Sequence, residues 1–367
     1  MYYSWRQKSK PLEDNFMTVL AYYLIFLVPI SVVMGYSLGG AFTFLTPIFV
    51  FGVIPVLDLF IGSSVENPTP LQEEARKDKL SYRMITFCCV PIQVAMVIWG
   101  ALVVSSAAMS PLETAGFVIS LGVSSGVMGI NVSHELQHRV NRKLEPFLAR
   151  VMLLTVLYMH WAIEHVAGHH RNVATHEDPA TARLGESFYT FWFRTVFSGM
   201  MSAWNIETAS LAKKGLSKIS LKNRMIQYGI WELILVTFLF SFFGLKAVAY
   251  FFIQSIVAFS LLEIVNYVEH YGLLRNKIGE RYEPVTFLHS WNSSNWLTNR
   301  FLFNLQRHSD HHYKPDRRYQ ILRHFDQSPQ LPTGYAGMIL LAAIPPLWRM
   351  VMDHRVHEYQ LMGKKAA

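Results

Sequence analysis

The chain has 367 residues, 51% of them hydrophobic and only 16% charged, with a formal net charge of +8. Its mean hydropathy of +0.22 is high for a soluble protein of this length. Six long, nearly uncharged runs exclude a soluble helical bundle with a greasy core, and no nucleic-acid partner is expected.

In chain order, residues 16–36 are uncharged throughout and form the first expected span. The run is too long for the apolar part of a cleavable signal and lacks a small-residue cleavage site, so it should stay as a transmembrane helix. Residues 41–60 carry only Asp58, residues 84–104 and 115–133 carry no charge, residues 225–243 carry only Glu232, and residues 247–268 carry only Glu263. Each run is long enough to cross the hydrocarbon core of a bilayer. Short links at 37–40, 105–114 and 244–246 join them as three hairpins.

Of the 33 Lys and Arg, only Lys246 lies in those short links. The rest fall in the N-terminal arm, the 62–83 loop, the 139–224 segment and the C-terminal segment. Positive charge marks the cytoplasmic side, so both termini and both large segments should face the cytoplasm. The expected fold is all-α: a polytopic membrane protein with six transmembrane helices in three hairpins and a cytoplasmic, histidine-rich cap made of 134–224 and 269–367. With no repeat or linker in view, residues 1–367 read as one domain.

Nine of the 15 histidines cluster just past apolar runs. They are His134 and His138 after the fourth span, His165, His169 and His170 in the middle segment, His270 after the sixth span, and His308, His311 and His312 in the C-terminal segment. Spacings of three and four place paired imidazoles on one helix face, where both can reach the same ion. Nine imidazoles are too many for one ion and suit two. Imidazole alone does not choose among zinc, iron, copper and nickel. Paired Glu-x-x-His motifs, the mark of soluble di-iron bundles, are absent.

Glu135, Glu164, Glu269 and Asp310 stand beside these histidines. Helix neighbours point about 100° apart, so each should serve a histidine one turn away. His176 in Ala-Thr-His-Glu-Asp-Pro reads as a group supporting the ligands or the substrate. His160, His289, His324, His354 and His357 are isolated and read as non-ligands, and Cys88 and Cys89 as packing residues inside the third span. Gly122, Ser124, Ser125, Gly126 and Gly129 leave room beside the fourth span, either for a substrate tunnel or for close helix packing.

His-Glu-Leu-Gln-His-Arg, Glu-His-Val-Ala-Gly-His-His-Arg, Asn-Tyr-Val-Glu-His-Tyr-Gly-Leu and Leu-Gln-Arg-His-Ser-Asp-His-His together resemble the membrane alkane monooxygenases of the AlkB type. The resemblance runs from the second span to about Trp348. It implies a non-haem di-iron site held by the nine clustered histidines, and insertion of one atom of O2 into the terminal C–H bond of an n-alkane to give a primary alcohol. It further implies electrons from rubredoxin, reduced by an NAD(P)H-dependent reductase, and a bacterial inner-membrane location. A fused rubredoxin would need four cysteines, and none follows Cys89, so the donor should be a separate protein. Lys314, Arg317, Arg318 and Arg323, after the last cluster, are the expected dock for that acidic donor.

Two rival readings remain at this stage. One keeps the site but changes the substrate to an aromatic methyl group or a fatty acyl chain. The other, a metal transporter, requires ionisable ligands at the membrane midplane, whereas these histidines lie at one end of the spans.

Overall fold

The computed structural model describes residues 16–366, so the basic N-terminal arm lies outside the described residues. Helices Met17–Leu38, Gly40–Ile61, Leu80–Ser106 and Pro111–Gln137 are each long and apolar enough to cross a membrane. Residues Arg224–His270 are helical except at Gly244, where a φ of 76° breaks the helix. Such a φ suits glycine, which has no Cβ to clash. The chain folds back there: Tyr228 and Ala258, 30 positions apart, share one buried cluster. Residues 224–243 and 245–270 are therefore two antiparallel legs, and the apolar helices form three hairpins.

At the short-turn end, Gly39 carries a φ of 69° between the first two spans. Ser110 caps the fourth span with Pro111 in its first turn, and Glu113 closes the capping box. The Glu113 carboxylate also accepts from the Gly40 N–H at 2.7 Å, which ties the first two hairpins together. The small residues of the fourth span serve close packing. A Cβ on Gly122 would come within 2.5 Å of Val257, and one on Gly129 within 3.0 Å of the Gln93 amide. Ser125 accepts from that same amide at 2.9 Å.

The other end of the bundle is capped by two stretches of chain. The first contains helix Leu144–Leu154, the short helical stretch Trp161–Asn172 and helix Phe188–Ala212. The second follows His270 with a two-residue hairpin, short helices Trp296–Phe301 and His308–Tyr313, and two helices, Tyr335–Ala342 and Pro345–Gln360, that meet at 119°.

Each carboxylate inside an apolar run reaches into this cap. Asp58 accepts from the Thr298 backbone N–H at 3.1 Å and from its hydroxyl. Glu232 accepts from the Met159 N–H at 3.1 Å. Glu263 accepts from Tyr158, Thr195 and Asn266 at 2.8–3.1 Å. A buried carboxylate is tolerated only when its oxygens are hydrogen-bonded, and here the cap supplies most of the donors. Glu145 works in the opposite direction, from the cap, pairing with Arg83 at 3.1 Å and Arg318 at 3.0 Å.

Candidate metal centre

The nine clustered histidines converge at the capped end of the bundle and divide into two groups. His134, His138, His165, His170 and His311 form one, and His169, His270, His308 and His312 the other; within each group the ligand atoms lie within 4.8 Å of one another. In the five-histidine group, the Nε2 atoms of His138 and His165 stand 3.0 Å apart, those of His165 and His170 3.1 Å, and those of His170 and His311 3.1 Å. In the four-histidine group the Nε2 pairs are His169–His312 at 3.3 Å, His308–His312 at 2.9 Å and His270–His308 at 3.2 Å. The groups adjoin where the His170 and His312 rings stack with centroids 4.3 Å apart.

These distances are those between neighbouring ligands around an ion bonded at about 2.1 Å to each imidazole nitrogen. A neutral imidazole has one lone pair and one N–H, so so many ring nitrogens facing each other cannot all be satisfied by mutual hydrogen bonds. The buried Nε2 of His134 has no hydrogen-bond partner among the described residues. Burial and the neighbouring imidazoles hold His138, His165, His170, His308, His311 and His312 well below the ordinary histidine value. They are thus kept as neutral donors, the form that binds a metal. The donor set fits two cations.

Helix period decides which histidines pair. His134 and His138 share a group at spacing four, as do His308 and His312, while His311 turns to the other group. His165 and His169 are also four apart but fall in different groups. Residues Glu164–His169 are π-helical, and the wider turn brings His165 over His170 and turns His169 away.

Around the imidazoles, Asp178 holds the strongest position. It accepts from His169 Nδ1 at 2.9 Å and from the Thr181 hydroxyl at 2.6 Å on one oxygen, and from the Ala180 N–H at 3.1 Å on the other. Burial works against a charge on His169, but this carboxylate outweighs it and raises the histidine's pKa. In the sequence Asp178-Pro179-Ala180-Thr181 resembles a piece of the same family pattern, but the supporting role is expected of His176, which is exposed and outside both groups; the loop turns His176 to solvent and Asp178 inward. Within that pattern, Thr181 is the residue that supports the Asp178 carboxylate.

The other expected supports divide. Glu269 sits 3.2 Å from His308 Nε2, with the Tyr335 side chain beside it. Glu135 pairs instead with Arg139 at 2.5 Å, and Asp310 with Arg317 at 2.5 Å and the Arg323 N–H at 2.8 Å. Glu164 faces Ser202 at 3.4 Å on helix Phe188–Ala212. These three fix the backbone that carries the ligands without touching a ring. Arg317 and Arg323 also pair with Glu73, and Arg318 with Glu145. Three of the four cations expected to form the donor dock are therefore committed to ion pairs inside the protein.

The isolated histidines stay apart from the metal groups. His160 packs its ring against Tyr158, and His289 and Glu283 pair at 3.4 Å. His324 bonds Ser294 at 2.8 Å, while His354 and His357 meet carbonyls of their own helix.

An apolar cavity runs from the imidazoles between the spans. His134, His165 and His308 line its inner end; Val50, Ile54, Val127, Leu261 and Phe301 line its walls, with Ala336 and Ile339 from the helix beyond the last cluster. π-helical turns at Phe49–Val53 and Ser125–Ile130 lie on this cavity as well. Its polar groups are Asn131, Asn266, Glu269, Thr298 and Tyr335, with no lysine or arginine. Gly126 also lines this cavity, and a Cβ there would come within 3.0 Å of Leu261.

The fatty acid desaturase family model matches residues 109–341. Alkane 1-monooxygenase 2 of Pseudomonas aeruginosa is 43% identical over 345 residues, covering 92% of this chain and 91% of that protein. Alkane 1-monooxygenase 2 of Alcanivorax borkumensis is 40% identical over 91% of this chain and 88% of its own length. The hydroxylase component of a Pseudomonas putida xylene/toluene monooxygenase is more distant, at 31% identity over 90% of this chain and 87% of its own length. With nine imidazoles at the end of an apolar cavity and relatives matched over nearly their full lengths, the chain belongs to the alkane 1-monooxygenase family, within the fatty acid desaturase family.

Proposed function

We propose that this chain hydroxylates the terminal carbon of n-alkanes, taking one oxygen atom from O2, two electrons and two protons, and releasing a primary alcohol and water. The observation that carries the reading is the apolar cavity that ends on three of the nine imidazoles. An alkane offers no polar handle, so a narrow apolar wall is all that can orient it. A fatty acid would need a cation for its carboxylate, and the lining has none.

The nine histidines are the proposed ligands of two non-haem irons, five on one and four on the other. Iron bound there supplies the redox chemistry of O2 activation, which zinc cannot. Asp178 orients His169, and Glu269 stands at the cavity face of the four-histidine group. The cap and bundle act as one domain over residues 1–367. We assign the capped end to the cytoplasm and the chain to a bacterial inner membrane, with a separate rubredoxin, itself reduced by an NAD(P)H-dependent reductase, as electron donor. Supporting this orientation, nearly all the basic residues lie outside the short turns.

The test is turnover by the purified full chain in lipid, with rubredoxin and its reductase supplied, on octane, hexadecane, p-xylene and palmitate under 18O2. Labelled 1-alkanols with iron near two per chain are the expected result. Product only from xylene or palmitate, or activity independent of iron, would overturn the proposal.

A further inference from the structure

A second groove lies on the outside of the same end of the bundle, away from the cavity. Its walls come from Gln137 at the end of the fourth span, helix Leu144–Leu154, the ligand-bearing stretch Trp161–Asn172, and Arg224 and Tyr228 at the start of the fifth leg. Four cations point into it: Arg142, Lys143, Arg150 and Arg224.

Their neutralisation is uneven. Arg224 is satisfied by Glu207 at 2.6 Å. Arg142 stands 3.6 Å from Asp78 with its side chain 56% exposed, too long and too wet to count for much. Arg150 lines the groove with Tyr228, and among the described residues no carboxylate is in salt-bridge contact with Arg150 or Lys143. Between the cations the floor is apolar, formed by Ile163, Val166 and Ala167. Beside the groove, Leu144, Phe147 and Trp231 are each 54% exposed. All of this sits level with the ends of two spans, where a bilayer passes from hydrocarbon to headgroups. Exposed aromatics beside cations at that depth are the signature of an interface, with rings at the headgroup boundary and cations among the phosphates.

We infer that this groove binds one anionic glycerophospholipid, its phosphate among Arg142, Lys143 and Arg150 and its acyl chains against Phe147 and Trp231. The floor residues belong to the turns that carry His165, His169 and His170, so a bound lipid braces the back of the metal centre. This inference needs only the membrane assignment and stands apart from the identity of the metal or the substrate.

The test uses the full chain in detergent, equilibrated with equimolar dioleoyl-phosphatidylglycerol and dioleoyl-phosphatidylcholine, with retained lipid counted by native mass spectrometry. Each cation near an anionic lipid surface contributes roughly five-fold in partitioning. The parent should therefore prefer phosphatidylglycerol, and the Lys143→Gln/Arg150→Gln double variant should lose about twenty-five-fold of that preference. A control double variant at two exposed cations on the small hairpin, Lys277→Gln/Arg281→Gln, should keep it. Metal content and a monodisperse elution profile matching the parent will establish that the double variant is folded. The preference of the parent should also fade as salt is raised, a measurement that needs no variant. Absence of any preference in the parent, or its survival in the double variant, would overturn the inference. So would displacement of the lipid by millimolar inorganic phosphate, which would reduce the groove to a site for free anions. If the double variant keeps its lipid but loses donor-driven turnover at low salt, the groove is a protein contact and the lipid assignment fails.

Discussion

Replacing Asp178 with asparagine should detach one metal ion and leave the other. The carboxylate accepts from His169 Nδ1 and Thr181 on one oxygen and from the Ala180 N–H on the other. Asparagine has nearly the same shape but only one acceptor end. With its oxygen toward His169, the amide NH2 meets the Ala180 N–H, donor against donor, inside a dry site; such an unsatisfied buried pair costs about 1–3 kcal/mol. With the amide flipped, the NH2 donates to Nδ1 and drives the imidazole proton onto Nε2, the nitrogen that faces His312. That tautomer cannot bind a metal. Either way the four-histidine group should hold its ion about 10–100-fold less tightly, the usual effect of losing a carboxylate behind a ligand histidine. The five-histidine group has no contact with Asp178 and should be unchanged. Metal content after graded chelator treatment, read by plasma mass spectrometry, should show one ion per chain leaving at lower chelator than in the parent. If the variant releases metal as the parent does, or loses both ions together, Asp178 does not orient His169.

Three further outcomes are expected. Ala336→Phe places a ring in the cavity wall and should shift products toward shorter alcohols while iron content holds, with each methylene that no longer fits costing about 10–200-fold in turnover by product chromatography. Arg317→Glu should do more than slow the electron donor: it removes the partner of the fully buried Asp310, a loss of about 3–5 kcal/mol, so thermal stability and iron retention should fall together. In metal-depleted protein, six of the clustered histidines outside the spans lie well below 6.5 when folded. The unfolded chain then binds more protons below that value, so stability should be intact above pH 6.5 and fall steeply as pH drops through it, measured by urea titration across pH 5–8.

Much of this site was legible because its signals are local. Uncharged runs mark the spans, and four dense histidine clusters stand out at their ends. What the sequence hid depends on departures from regular geometry. Reading His165-Val-Ala-Gly-His169-His170 at the α-helical period pairs His165 with His169; the π-helical turn, which no residue type announces, pairs it with His170. Glu135 and Asp310 looked like supports for histidines, but Arg139 and Arg317 reach them first. The helix Tyr335–Ala342 read as plain cap, yet it lines the cavity, and Pro345-Pro346 after an apolar stretch is the trace of the sharp bend that sends it there.

The carboxylates inside the apolar runs set an order of events during synthesis. Asp58 is inserted early, but its partner Thr298 is made 240 residues later. Until then a carboxylic acid stands without this partner at the edge of the lipid, whereas Glu232 and Glu263, in late spans, meet donors from a segment already made. A ribosome that stops before Thr298 leaves a chain whose hairpins are threaded but whose second span still lacks its anchor. Such a truncated product leaves a carboxyl group unsatisfied at the membrane, where a polar group without a partner costs several kcal/mol. Truncation after His270 should therefore give a chain that is cleared faster than the full chain in a pulse-chase measurement, even though the three hairpins are present.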